Sequence, residues 1–255
     1  MKIDINCDMG ESFGRYSLGN DAQLITRITS ASIACGLHAG DPMVMEHTVR
    51  LAYENDVSIG AHPAYPDLQG FGRRVMDLTP EEIEAFVLYQ VGALAAFTKS
   101  AGVNLAHVKV HGALYNYAST QLPAAQAIAR GVRRFSDELI LVGLAGSLMI
   151  QAAADSGLRF ASEGFPERAY NPDGSLMSRR LPGAVLDSPE DAANQAIKLV
   201  NEGIKVTSGS QNETSRVDTL CIHGDSPNAI AVSEAIYNAL KAQHVELVSL
   251  PELLA

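Results

Sequence analysis

The chain of 255 residues carries 19 Lys and Arg against 29 Asp and Glu, a formal net charge of −10. That balance excludes nucleic acid and an anionic membrane surface as main partners, because both require a basic footprint. An apolar content of 47% excludes a disordered chain, and the length suits one α/β barrel domain over residues 1–255.

The N-terminal residues Met1-Lys2-Ile3-Asp4 lose their apolar character at once and do not read as a signal peptide. Beyond them the chain alternates short strand-like runs with longer helical ones. Strands are predicted at 3–7, 31–35, 57–61, 108–110, 139–142, 158–161 and 219–222. Helix starts are marked by Asp41-Pro42, Thr79-Pro80-Glu81-Glu82, Ser188-Pro189-Glu190-Asp191 and Ser226-Pro227, each a capping side chain before a proline. The apolar stretch 139–150 contains Gly143, Gly146 and Ser147 and is too short to span a bilayer. The polar stretch 203–218 reads as a long connection or a short hairpin. Three cysteines with no CxxC point to packing in a reducing cytoplasm rather than to a disulfide framework.

Strand alternation separates two faces. In the first strand Ile3, Ile5 and Cys7 oppose Asp4, Asn6 and Asp8; around Val57, Ile59 and Ala61 the opposing residues are Ser58, Gly60 and His62. Val108 and Val110 oppose His107, Lys109 and His111, and Leu220 and Ile222 oppose Thr219, Cys221 and His223. Strands of an open doubly wound sheet are apolar on both faces. One polar face, with capped helices between the strands, predicts instead a TIM-like (β/α) barrel of seven or eight strands with a polar lumen. An antiparallel sheet with one wet face would alternate in the same way, but the intervening helices weigh against it.

Four of the seven histidines, His38, His62, His111 and His223, fall at or just after predicted strand ends. Asp8, Glu11, Asp41, Asp67 and Asp225 accompany them. A barrel places its site at that end. Imidazole with carboxylate suits a divalent metal, with Asp8, His62, His111 or His223 as ligands, and equally suits acid–base work near neutral pH. Lys109 shares the inward face. It would hold an anion, or neutralise Asp8 or Asp225. Arg73, Arg74, Arg179 and Arg180 form two pairs on loops, able to clamp phosphate or carboxylate or simply solvated. No GxxxxGK[ST] loop occurs, and Gly70-Phe71-Gly72-Arg73-Arg74 lacks the third glycine of a dinucleotide fingerprint.

Six segments taken together resemble the LamB/YcsF family. They are Asn6-Cys7-Asp8-Met9-Gly10-Glu11, the run from Ala34 through His38 to Pro42, the run from Gly60 through His62 to Asp67, Gly70–Arg74, His111-Gly112-Ala113-Leu114-Tyr115-Asn116, and His223-Gly224-Asp225. The resemblance runs along the whole chain and is looser over 163–182. It implies an irregular barrel related to carbohydrate deacetylases. It also implies ATP-dependent cleavage of the lactam 5-oxoproline to glutamate, with two partner subunits, B and C. On that basis Asp8, His62, Lys109, His111 and His223 are the expected catalytic residues. Glu11, His38, Asp41, Arg73, Arg74, Arg179 and Asp225 are expected to bind substrate or ATP, with Mg or a site metal as a further cofactor. A homo-oligomer is compatible with this scheme. Two other readings compete: a stand-alone metal-dependent deacetylase or amidohydrolase, and a non-catalytic subunit that binds a small acid.

Overall fold

The computed structural model describes residues 1–179, 181–208, 211–224 and 228–255. In chain order it contains β1 (Lys2–Met9), α1 (Asp21–Leu24), a short 3-10 turn (Ile25–Arg27), β2 (Ser30–Ala34), α2 (Pro42–Glu54), β3 (Ser58–His62) and α3 (Pro80–Ser100). Then follow β4 (His107–Val108), α4 (Gly112–Thr120), α5 (Leu122–Phe135), β5 (Ile140–Leu144), α6 (Leu148–Asp155) and β6 (Arg159–Gly164). The chain continues with α7 (Pro189–Glu202), β7 (Ile204–Ser208), β8 (Gln211–Ser215), β9 (Thr219–Ile222), α8 (Ala229–Ala242), β10 (Glu246–Leu247) and α9 (Leu250–Leu253).

Seven parallel strands run in the order β1-β2-β3-β4-β5-β6-β9, and β9 pairs back onto β1 to close a barrel. All seven predicted strands lie in it. β10 adds beside the start of β1, Lys2 opposite Glu246. The stretch left open between connection and hairpin is a hairpin, with β7 and β8 antiparallel and separate from the barrel sheet.

The helix starts follow the side chains expected to cap them. Thr79 and Glu82 form a reciprocal capping box on α3, Asp41 accepts from Met43 and Val44 N–H on α2, and Ser188 accepts from Asp191 N–H on α7. Ser226-Pro227 lies outside the described residues. Between strands and helices sits the main apolar core, which includes Ile5, Ile33, Ile59, Val108, Leu141 and Leu220. α3 and α5 approach closely at Gly131, where a Cβ would stand 2.9 Å from Glu84 O.

Parallel register carries each inward position to an inward position on the next strand. Asn6 lies opposite Ser30, Ser30 opposite Ser58, Gly60 opposite His107, and Glu163 opposite Thr219. β4 is shorter than the predicted 108–110, yet the chain stays extended beside β3. Lys109 N–H donates to Ala61 O at 3.0 Å, and His111 N–H donates to Pro63 O at 2.8 Å. The two-residue period therefore holds from His107 to His111. On one side the lower lumen is apolar, with Ile140, Val142 and Ala161 packed against Leu250 of α9.

Gly60 makes the room that His107 needs. A Cβ built there would lie 2.1 Å from His107 Nε2, an overlap with a fully buried ring. Gly60→Ala should cost about 3 kcal/mol by overpacking, read as a lower urea midpoint at unchanged m-value.

Candidate functional site

The site begins with a buried ammonium. Lys109 Nζ lies 2.6 Å from Asp8 Oδ1, 3.2 Å from Glu163 Oε1 and 3.2 Å from Cys221 Sγ, and donates to Asn6 Oδ1 at 2.6 Å. Asn6 is oriented by this contact, because its Nδ2 donates to Glu163 at 2.9 Å and to Thr219 at 2.8 Å. Tyr115 completes the shell, its hydroxyl donating to Glu163 Oε2 at 2.6 Å. Burial alone would pull the Lys109 ammonium down, but the Asp8 and Glu163 carboxylates outweigh it and hold its pKa well above the ordinary value. Burial likewise pushes Asp8 up, and His62 and Lys109 reverse that, leaving its carboxyl well below the usual range.

Below this group Asp4 accepts from Ser30 at 2.6 Å, from Thr29 at 2.7 Å and from Thr219. Burial raises its pKa to about 6, against the pull of those hydroxyls. Of the two duties considered for Lys109, the structure brings about the ion pair with Asp8. Its ammonium is engaged by two carboxylates and does not reach out as an anion clamp.

Above the lysine sit three imidazoles. His62 ends β3, His111 directly precedes α4, and His38 lies in the loop after β2. His38 and His111 stack at 4.0 Å between centroids, with His62 edge-on to both. Two backbone carbonyls fix the rings of His62 and His111. His62 Nδ1 lies 2.5 Å from Lys109 O, and His111 Nε2 lies 2.9 Å from Phe71 O. A carbonyl only accepts, so both of these nitrogens carry the proton. His62 Nε2 and His111 Nδ1 are left facing each other at 3.0 Å.

Carboxylates border that pair. Asp8 Oδ2 is 3.2 Å from His62 Nε2, while Glu11 Oε1 is 3.6 Å from His111 Nδ1 and 3.5 Å from His38 Nε2. Burial, reinforced by His62, pulls the His111 pKa down to about 3 and keeps the ring neutral, and burial also takes His38 well below its ordinary value. Gly70-Phe71-Gly72, which lacks the dinucleotide pattern, roofs this cluster instead. Phe71 holds a left-handed φ of 54°, and Gly72 lies so close that a Cβ would meet His111 at 2.9 Å and His38 at 3.0 Å.

His223, after β9, forms a second arm. Its Nδ1–H donates to Glu167 at 2.7 Å and its backbone N–H donates to the same oxygen at 3.1 Å. Nε2 accepts from Arg179 Nη2 at 3.0 Å. Phe165 stacks on the ring at 5.9 Å.

Several expected ligand-binding residues have other partners. Asp41 is a cap, its carboxylate accepting from Met43, Val44 and Gly14 N–H groups. Arg74 is paired with Asp67, seven residues earlier, through its Nε and Nη2. Arg73 lies over the Phe71 ring at 4.9 Å. Arg168 is buried and donates to Met177 O at 2.6 Å, bracing the loop that carries Arg179. Asp225 and Arg180 lie outside the described residues.

Sequence reasoning missed Glu163, Glu167 and Tyr115. Continuing the alternation of the strand at 158–161 by two residues would have found Glu163. Nothing local marks Glu167.

Two groups of side chains could hold a metal ion. Glu11, His38, His62 and His111 offer ligand atoms all within 4.8 Å of one another, and so do Asp8, Cys221 and His223. In the second group the Lys109 ammonium already stands against Asp8 and Cys221, and burial keeps the Cys221 thiol protonated, its pKa well above the ordinary value. A metal is disfavoured there. Lys109→Met would strand the buried Glu163 carboxylate and the half-buried Asp8. It should cost about 3–5 kcal/mol in urea unfolding, and Glu163→Gln in the same chain should recover part of the loss.

The whole chain has close relatives. The family model described as LamB/YcsF matches residues 3–255. The 5-oxoprolinase A subunit of Pyrococcus furiosus is 49% identical over 255 residues, covering 100% of both chains. The crystal structure of a lactam utilization protein from Thermus thermophilus superposes with a TM-score of 0.90 at 47% identity, covering 98% of this chain and 100% of that one. The catalytic domain of a peptidoglycan N-acetylglucosamine deacetylase from Eubacterium rectale shares the fold, with a TM-score of 0.52 at 10% identity over 97% of this chain and 87% of that one. Closed barrel, strand-end motifs and full-length similarity agree, and the chain belongs to the LamB/YcsF family.

Proposed function

We propose that this chain is the A subunit of an ATP-dependent 5-oxoprolinase, cleaving the lactam of 5-oxoproline to glutamate together with two partner subunits, B and C. The observation that carries the reading is the grouping of Asp8, His62, His111 and the Glu167–His223 pair at one mouth of a barrel whose full-length relatives bear that name. Among the described residues no helix is long and apolar enough to cross a membrane, which suits a small water-soluble substrate.

A five-membered lactam is a resonance-stabilised amide, so opening it against favourable ring closure calls for activation. ATP supplies this by phosphorylating the amide oxygen. Water then adds to the activated carbon, the ring C–N bond breaks as the nitrogen takes a proton, and a second water hydrolyses the resulting acyl phosphate. The sum is 5-oxoproline, ATP and two waters giving glutamate, ADP and phosphate. Asp8, held ionised beside Lys109, orients water as a base. His223, fixed by Glu167 on one nitrogen, moves the proton at the other. Arg179, exposed and bonded to His223, meets the substrate carboxylate or the phosphoryl group. Glu11 and His38 support His111 rather than touching ATP directly.

The test is to purify the chain alone and with its two partner subunits, and to measure glutamate released from 5-oxoproline with and without ATP. Glutamate should form only in the complete complex with ATP. Asp8→Asn and His223→Gln should each lower kcat by about 10²- to 10⁴-fold with the circular dichroism spectrum unchanged. ATP-independent turnover by the chain alone, or full rates in both variants, would overturn the proposal.

A further inference from the structure

The facing nitrogens of His62 and His111 present an electrostatic problem. Each ring is neutral when it carries a single proton, and in each ring that proton is committed to a backbone carbonyl, Lys109 O or Phe71 O. When both rings are neutral, two lone pairs point at each other across 3.0 Å, with Asp8 Oδ2 at 3.2 Å and Glu11 Oε1 at 3.6 Å adding negative charge. The pair therefore calls for a cation between them, a proton or a metal. No hydrogen bond can join two acceptors. His38 adds an independent observation: its side chain is fully buried, and neither ring nitrogen makes a hydrogen bond among the described residues. A buried imidazole left in that state is costly, because its polar atoms have given up water without gaining a partner. Its Nε2 lies 3.5 Å from Glu11 Oε1, on the side of the other two rings.

One positive centre among these atoms would satisfy the facing nitrogens of His62 and His111, the Glu11 carboxylate and Nε2 of His38. We infer that Glu11, His38, His62 and His111 form a binding site for a divalent first-row transition metal, with Asp8 at its border.

The spacings agree with this. A metal with nitrogen ligands near 2.1 Å places neighbouring ligand atoms about 3.0–3.4 Å apart, and the contacts around this centre run from 3.0 to 3.6 Å. Carbonyl-anchored imidazoles are the usual outer support of metal-ligating histidines, since they fix both tautomer and ring angle. Three nitrogens with a carboxylate favour zinc or its first-row neighbours over magnesium, which takes oxygen. Two of the ligands, Glu11 and His38, have the chemistry of substrate- or ATP-binding groups; they are placed instead to hold the ion. Asp8 is the most exposed of the neighbouring carboxylates, so solvent or substrate reaches the ion from its side. When bound, such an ion supplies Lewis acidity and lowers the pKa of water.

The alternative is a proton shared by His62 and His111, and experiment separates the two. The full chain, stripped by chelator dialysis, is titrated with zinc against a chromogenic chelator, and its cobalt form is examined for visible ligand-field bands. One zinc per chain is expected. His38→Gln and His111→Gln should each weaken it at least about 10-fold, whereas His47→Gln on α2 should leave it unchanged. If a variant fails to fold, nitrogen NMR of the wild-type imidazoles decides. Zinc should shift His62 Nε2 and His111 Nδ1 while the protons on His62 Nδ1 and His111 Nε2 remain. Absence of saturable zinc binding, unchanged affinity in both ligand variants, or a proton persisting between the two rings after zinc addition would overturn the inference. The readout is metal binding and not glutamate, so it stands or falls separately from the lactam reading.

Discussion

The architecture depends on one buried charge. An ammonium removed from water is tolerated only where its partners are placed well enough to offset desolvation, and for Lys109 those partners come from distant parts of the barrel. Asp8 and Asn6 belong to β1, Glu163 to β6 and Cys221 to β9, while Lys109 itself extends the line of β4. A shift of any of these strands would leave a carboxylate or the ammonium uncompensated. The lumen is consequently neutralised from within, and the chemistry open to change is carried by the imidazoles above it.

The acidic composition acquires a different meaning in this setting. Much of the negative charge near the mouth is already assigned: Asp8 to Lys109, Glu167 to His223, Asp41 to the start of α2 and Asp67 to Arg74. The net charge of −10 therefore does not describe the field that a substrate meets. Arg73 over Phe71 and Arg179 against His223 give the mouth a cationic side, which suits an anionic substrate.

The fold and half of the site were legible because both rest on the same period of two. Once Val108 and Val110 are seen to oppose His107, Lys109 and His111, the inward direction of the barrel strands follows, and three of the four strand-end histidines meet, with His223 on a separate arm. Legibility ended where a side chain's partner is set by a loop rather than a strand. Asp41 and Arg74 have the chemistry of ligand-binding groups, yet each is taken by a neighbour close in sequence, Met43 in one case and Asp67 in the other. Glu167 and Arg179 reach His223 from the long segment between β6 and α7, whose path no local pattern encodes. The tautomers of His62 and His111 depend on carbonyls 47 and 40 residues away in the chain, so no motif states them.

The closing of the barrel has a kinetic consequence. Asn6 meets Glu163 across 157 residues and Thr219 across 213, so its hydrogen bonds cannot exist until the last barrel strand has docked beside the first. Local β/α units can form earlier at small loop-closure cost, but the polar lumen is assembled at the seam. Weakening it should speed unfolding while leaving the folding limb of a chevron nearly unmoved. The polar groups that fill the lumen are then also those that set how long the closed barrel lasts.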